Sequence, residues 1–180
     1  QAFRLMLDRE EMIKVALAGY GSIGNDLACP FDPDYAKNIP QRAFDPDKAK
    51  FLIKQAGQEG ATVPLYTGDI GAGMVESSLL IAQYAAKAGI TVTMNKVPAE
   101  QYYTDQFMKV PFQCTSWGQR PLDSQIAQAF NKDAPYNESH WYRPEFDKLT
   151  DEARRTLDAG KRHELWAAAQ QMRWDEGGYI

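Results

Sequence analysis

Soft metal ligands are scarce in this chain. Two cysteines, Cys29 and Cys114, and two histidines, His140 and His163, are all that 180 residues contain. They lie far apart and lack the paired spacing of a zinc site, so no metal site is expected. So few cysteines also exclude a disulfide-built scaffold; a single Cys29–Cys114 bridge would need an oxidising compartment and the right geometry. Basic runs are missing too. With a net charge of −4 and no cluster of Lys and Arg, general nucleic-acid affinity is not expected. No apolar run has the length of a bilayer-spanning helix. Catalytic signatures are equally absent: there is no G-x-S-x-G elbow, no H-E-x-x-H, and no cysteine paired with a histidine in a recognisable pattern. The carboxylate pairs Glu10-Glu11 and Asp175-Glu176 fall at helix ends, where capping and solvation explain them. Nothing in the sequence calls for a cofactor or a catalytic residue.

What is present is an ordinary globular composition, 44% hydrophobic and 24% charged, on a chain long enough for one domain with a substantial core. The chain opens on Gln1 without a methionine and stops at Tyr179-Ile180 just after Gly177-Gly178. It therefore reads as an excised domain, with Tyr179-Ile180 as the opening of a strand.

Asp8 followed by Glu11 is a helix start of the capping-box type, and Met12, Ile13, Ala16 and Leu17 recur at helical spacing until Gly19. Residues 25–44 hold Pro30, Pro33 and Pro40 among polar residues and predict a long irregular loop. Asp45-Pro46 joins a cap to a proline at the first helical position, and Gly57 closes that helix. Residues 61–67 predict a strand, with Pro64 marking an edge or a strand start. A helix over about 74–87 follows, then a half-buried strand in which Ile90, Val92 and Met94 alternate with Thr91, Thr93 and Asn95. Pro98 opens a helix running through Tyr102, Tyr103, Phe107 and Met108, and residues 112–116 predict a third strand. A short helix over 124–130, an aperiodic stretch to Tyr142, a helix opening at Pro144 and a last helix capped by Asp158 complete the chain. His163, in the first turn of that helix, reads as a solvated surface histidine. The order is an α/β layering, with the 74–87 helix crossing between neighbouring parallel strands.

Two glycine-rich turns invite a nucleotide reading. Gly19-Tyr20-Gly21-Ser22-Ile23-Gly24 matches G-x-G-x-x-G formally, but a helix precedes it and Pro30 soon follows, so no pyrophosphate would meet a helix N-terminus. Gly68 to Gly73 does lie between a strand and a helix and could cradle an anion. It lacks the Gly-Lys-Ser/Thr ending, and Asp69 would repel phosphate, so a tight connection is the favoured reading.

The chain is organised around Phe112 to Asp123. A short strand breaks at Ser116-Trp117-Gly118 and presents Arg120 and Asp123 in a loop. Aromatic area, a glycine that lets the backbone approach a ligand and a charge that orients it suit one wall of a binding cleft. A second aromatic and polar loop, Tyr136 to Tyr142, carries Asn137 and His140. Both suit binding better than reaction. Asn137-Glu138-Ser139 is formally a glycosylation sequon and is given little weight.

Four segments, in order, resemble the C-terminal lobe of the periplasmic solute-binding proteins of peptide and nickel ABC transporters, extracellular solute-binding family 5. Ala2 to Glu10 is similar to that lobe's first helix. Phe44-Asp45-Pro46-Asp47-Lys48-Ala49 through Ala56-Gly57 resembles its D-P-x-K-A segment, Ala88-Gly89-Ile90-Thr91-Val92 its helix-to-strand step, and Arg143-Pro144-Glu145-Phe146-Asp147 its N-P-E-F-D helix start. The resemblance implies a single α/β lobe over residues 1–180, periplasmic-binding-protein-like and three-layered, with a small mixed, mainly parallel sheet flanked by helices. It implies a partner N-terminal lobe that closes on the ligand, a membrane permease that receives it, and a periplasmic or lipid-anchored location on the outer face of the cytoplasmic membrane. Ser116, Trp117 and Gly118 would line the cleft, with Asn137 and His140 on a second lining segment. In the family's peptide binders an aspartate three residues after that tryptophan pairs with the ligand's α-amino group. Here the position is Arg120, which prefers carboxylate or phosphate. Asp123, three residues on, is the remaining acid for an amine, and Arg120 tied into a structural pair is the competing reading.

The expected function is therefore capture of a peptide or another small polar solute, anionic ones included, with no enzymatic step. A nucleotide-binding α/β enzyme domain using the 68–74 turn is the alternative, and an interaction module with an exposed patch is a third. A lobe parted from its partner should also expose Trp117, Tyr136 or Trp141.

Overall fold

The computed structural model describes residues 1–180. Its helices are α1 (Ala2–Leu5), α2 (Arg9–Ala16), α3 (Pro46–Gln55), α4 (Met74–Ala88), α5 (Ala99–Gln101), α6 (Leu122–Ala129), α7 (Pro144–Arg155) and α8 (Ala159–Glu176). The strands are β1 (Thr62–Thr67) and β2 (Thr91–Lys96), and a π-helical turn, Tyr102–Gln106, continues α5. The chain divides into two compact units. The first is Gln1–Ile23 with Arg42–Trp117, and the second is Gly24–Gln41 with Gly118–Ile180.

The first unit holds the whole sheet. β1 and β2 pair in parallel with Leu65 opposite Met94, and α4 is the crossover that packs on both strands. The core is built where α4 meets them, from Leu65, Leu80, Ile81, Ala85 and Val92, with Met6, Leu7 and Ile53 added from the chain start and α3. Burial of these side chains is the main stabilising term of the unit. The capping signals hold. Asp8 accepts from Glu11 N at 3.0 Å and Asp45 from Lys48 N at 2.9 Å, and Pro46 occupies the first helical position. The Glu11 carboxylate does not return to the cap; it accepts from the Tyr84 hydroxyl.

Three boundaries differ from the sequence reading. The third strand is reduced to one bridge, Tyr66 to Gln113, and the sheet is parallel throughout, not mixed. Pro64 keeps the pairing from extending back before Phe112. Ala61 O and Thr67 O face β2, where they accept from Thr91 N and Val97 N, whereas both backbone groups of Tyr66 face the third segment. With a side-to-side period of two, the nitrogen of Pro64 faces that segment as well, and it has no hydrogen to extend the ladder. The expected helix from Pro98 to Met108 is three α-helical residues and the π-helical turn, closed by Phe107 N on Tyr102 O at 3.0 Å. The helix expected at 124 starts at Leu122.

The second unit has helices and loops only. α7 packs on α8, and Ile126, Phe130, Phe146, Ala153, Trp166 and Ala169 are buried in it. The Arg173 guanidinium lies 3.9 Å from the Phe130 ring centroid and 4.8 Å from that of Tyr179. The Tyr179 ring stands edge-on to Phe130 and its hydroxyl donates to Glu138. The long 24–41 loop is anchored from inside. Gln170 donates to Asp34 O and accepts from Ala36 N, and Trp174 donates to Asn25. His163, expected to be solvated, has its Nδ1 3.3 Å from the Asp34 carboxylate, because the same loop returns alongside α8.

Candidate solute-binding site

In open parallel sheets, ligands bind beyond the carboxyl ends of the strands. In the first unit three chain segments leave the sheet at that edge. β1 runs into the Gly68–Gly73 turn, β2 into Val97 and the π-helical turn, and the third segment into Ser116 and Trp117. Asp69 and Lys96 form an ion pair of 2.8 Å across the first two exits. A Cβ on Gly68 would stand 2.8 Å from Val97 O, so the exits touch backbone to backbone. Gly71 faces Ser116, whose Cβ would lie 3.5 Å from a methyl placed there. Gly73 has φ +67°, and a Cβ on it would meet Ala16 O at 2.5 Å. The glycines of this turn answer to close packing and backbone geometry, and its one carboxylate, Asp69, is paired with Lys96. Trp117 is half-buried.

The other expected residues belong to the second unit. Arg120 folds back on its own segment: Nε donates to Gly118 O at 3.2 Å and Nη1 to the Gln128 side chain on α6. Pro121, at the cap position of α6, has no side chain able to cap. Asp32 takes over from ninety residues away, accepting from Leu122 N at 2.8 Å with one oxygen and from Asp34 N at 2.9 Å with the other. The Cys29 thiol senses both charges. Burial pushes its pKa up first, Asp32 adds to that, and Arg120 opposes it. Both cysteines are free thiols.

Asp123, in the first turn of α6, pairs with Arg154 at 2.6 Å, and Arg154 is shared with Asp151 and Asn131. Asn137 is 1% exposed. It donates to Trp141 O at 3.0 Å and to Asn131 O at 3.4 Å, and accepts from Ser139. It shapes its loop from within, and the same engagement leaves its amide nitrogen unavailable for glycosylation. His140, at φ +50°, is exposed on that loop, its backbone N–H held by Asn137 O. Of the three aromatics expected at the surface, Tyr136 is exposed, Trp117 is half-buried and Trp141 is buried against the Phe146 ring. The sequence missed Asp32, Gln128 and Tyr102. Asp32-Pro33 carries a turn signal, but nothing local announces a cap donated to a distant helix.

No three His, Cys, Asp or Glu side chains converge as a metal site would need. No helix is long and apolar enough to cross a membrane. Aromatic area and the Arg120 guanidinium are the features suited to binding that the two units hold, each on its own.

Comparison with known proteins agrees. The chain is 26% identical over 187 residues to di/tripeptide-binding protein 1 of Pseudomonas aeruginosa, covering 96% of this chain and 34% of that protein. It is 24% identical over 193 residues to the glutathione-binding protein GsiB of Pectobacterium atrosepticum, covering all of this chain and 37% of that protein. The chain thus spans about a third of the length of these relatives. The fold matches that of the ABC transporter-associated periplasmic binding protein DppA from Helicobacter pylori, solved with the peptide STSA, at a TM-score of 0.87 and 23% identity over 99% of this chain and 36% of that one. The model of the bacterial extracellular solute-binding proteins, family 5 Middle, matches residues 1–138. This chain belongs to the bacterial extracellular solute-binding proteins of family 5.

Proposed function

We propose that residues 1–180 are one α/β lobe of a two-lobed solute-binding protein that captures a small polar solute and delivers it to an ABC permease, with no chemical step of its own. The observation that carries the reading is the family match over residues 1–138, joined to a sheet edge whose strand exits present Ser116 and Trp117. The working compartment is the periplasm, or the outer face of the cytoplasmic membrane by a lipid anchor. The partners are the second lobe and the permease. The candidate solute contacts of the first unit are Ser116 and Trp117; those of the second, taken by itself, are Gly118, Arg120 and His140, with Asn137 acting through the loop that carries His140.

Arg120 sets the solute class. A guanidinium recognises carboxylate or phosphate, so an anionic solute is favoured over one held by its amine. Asp123 can receive an amine only by giving up Arg154. Two relatives frame the choice: one is named for di- and tripeptides, the other for glutathione, an anionic tripeptide.

The test is thermal stabilisation of the two-lobed protein with dipeptides, glutathione, opines, anionic sugars and nickel–histidine complexes. A solute at a hundred times its Kd stabilises by about 2.7 kcal/mol. Arg120→Ala should weaken an anionic solute about 10- to 100-fold, the worth of one charged hydrogen bond. Unchanged affinity in that variant refutes the role of Arg120, and a protein that binds nothing in the panel refutes the solute class.

A further inference from the structure

The segment that carries Ser116 and Trp117 has little sheet to hold it. Its ladder consists of two backbone hydrogen bonds, Tyr66 N to Phe112 O at 3.0 Å and Cys114 N to Tyr66 O at 2.9 Å. No third follows: Cys114 O, the acceptor a longer ladder would use next, takes no backbone N–H. Beyond Cys114 the chain is irregular through Trp117. Something else must fix the direction in which the wall leaves the sheet.

Tyr102 is placed to do so. It is fully buried, and its hydroxyl donates to Cys114 O, with Tyr66 O at 3.5 Å as a second acceptor in reach. The residue opens the π-helical turn, a distortion found mostly at functional sites. Its ring is held on two sides. Gly68 leaves room for it, since a Cβ there would lie 3.3 Å from the Tyr102 ring, and Tyr103 stands edge-on with its centroid 5.7 Å away. The Cys114 side chain is tied on its own account, with Sγ 3.2 Å from Ser78 Oγ on α4. Cys114 is thus anchored through its nitrogen, its thiol and its carbonyl, and the carbonyl anchor alone comes from a side chain that reaches in from a second sheet exit.

We propose that Tyr102 is a positioning residue of the solute site: its hydroxyl stands in for the missing ladder bond and sets the course of Ser116 and Trp117. This rests on the solute-binding reading given above. It adds that the π-helical turn and the tryptophan wall are mechanically one piece.

The experiment labels the protein with 5-fluorotryptophan. The four tryptophans of residues 1–180, at 117, 141, 166 and 174, contribute four of its fluorine resonances, and Trp117→Phe assigns the one of interest. Tyr102→Phe keeps the ring and removes one oxygen. It should shift or broaden the Trp117 resonance and leave the other three in place, while Tyr103→Phe moves none. On a solute from the panel that binds the parent, Tyr102→Phe should lose affinity about two- to tenfold, the worth of one neutral hydrogen bond.

A Trp117 resonance unmoved by Tyr102→Phe overturns the proposal. So does a variant that loses its cooperative melt, because the hydroxyl then holds the fold and not the wall. A moved resonance with unchanged affinity overturns the functional half. If the parent binds no solute, the solute-binding reading fails by itself, and the fluorine spectrum still decides the coupling of Tyr102 to Trp117.

Discussion

The Tyr84 hydroxyl offers a quantitative test of how the first unit is held together. Tyr84 lies on α4 and is 3% exposed; its hydroxyl donates to the Glu11 carboxylate on α2, with Asp8 O at 3.5 Å. Burial pushes the phenol well above its ordinary value, and the Glu11 hydrogen bond and the Glu11 and Asp8 charges push it further. A hydrogen bond to a charged group is worth about 1.5–3 kcal/mol, and the exposure of Glu11 places this one toward the lower end, about 1–2 kcal/mol. For a chain of this size that is a Tm loss of roughly 2–8 °C in Tyr84→Phe. The sign of the pH dependence follows from the raised pKa. The folded state keeps the proton longer than the unfolded chain, whose tyrosines titrate near pH ~10. The contribution is therefore complete below about pH 10 and is lost as pH rises beyond it, at no more than about 1.4 kcal/mol per unit. Urea melts by far-ultraviolet circular dichroism at neutral pH and at several points above pH ~10 give the difference between parent and variant. The parent should lead by about 1–2 kcal/mol at neutral pH, and its lead should shrink on the alkaline side. Equal stability at neutral pH, with parallel alkaline limbs, would refute the reasoning. Glu11→Gln keeps an acceptor and removes the charge, so it should fall between the two.

Two further outcomes follow from particular contacts. Asp32→Ala removes the carboxylate oxygens that accept from Leu122 N and Asp34 N and should cost about 1 kcal/mol in chemical denaturation, whereas Asp32→Asn keeps one of the two acceptors and should cost less than the alanine. Gly73→Ala combines a left-handed φ with a Cβ 2.5 Å from Ala16 O and should cost at least twice as much as Gly60→Ala, where φ is +75° but the space is open and the expected loss is about 1–2 kcal/mol; Tm values for the two variants check the ratio.

What the sequence made legible was local. Asp8, Asp45 and Asp158 all cap the helices they precede, because a short acceptor at that position reaches the amide three residues on whatever the rest of the chain does. The parallel pair β1–β2 and its α4 crossover were also readable, since alternation and helical spacing each persist over the whole element. The third strand was not. Phe112 to Ser116 has strand composition, but Pro64 stops the ladder before Phe112 and the Cys114 carbonyl goes to the Tyr102 hydroxyl, and neither can be read from the segment itself. The π-helical turn was hidden for a similar reason. Tyr102, which reaches the Cys114 carbonyl, sits where the chain widens to an i to i+5 bond, and the composition there does not differ from that of an ordinary helix.

The site shows the same division in sharper form. Arg120 and Gly118 stood out because a charge reversal in a recognisable segment is visible in one line of text. The residues that fix Arg120 and the helix start beside it were invisible, since Gln128, which holds Arg120, lies two turns along α6, and Asp32, which caps Leu122 N, lies on a loop that reads as irregular. Yet α6 did carry a warning. Its start has Pro121 where a Ser, Thr, Asp or Asn would cap, and a helix N-terminus leaves amides that must find acceptors. When the local sequence supplies none, the acceptor comes from solvent or from elsewhere in the chain, and a long polar loop rich in Asp and Pro is the natural donor of one. The uncapped start of α6 and the long 25–44 loop were both legible as separate oddities. Taken together they predict a contact of long range, and that contact falls two residues beyond the arginine on which the solute reading turns.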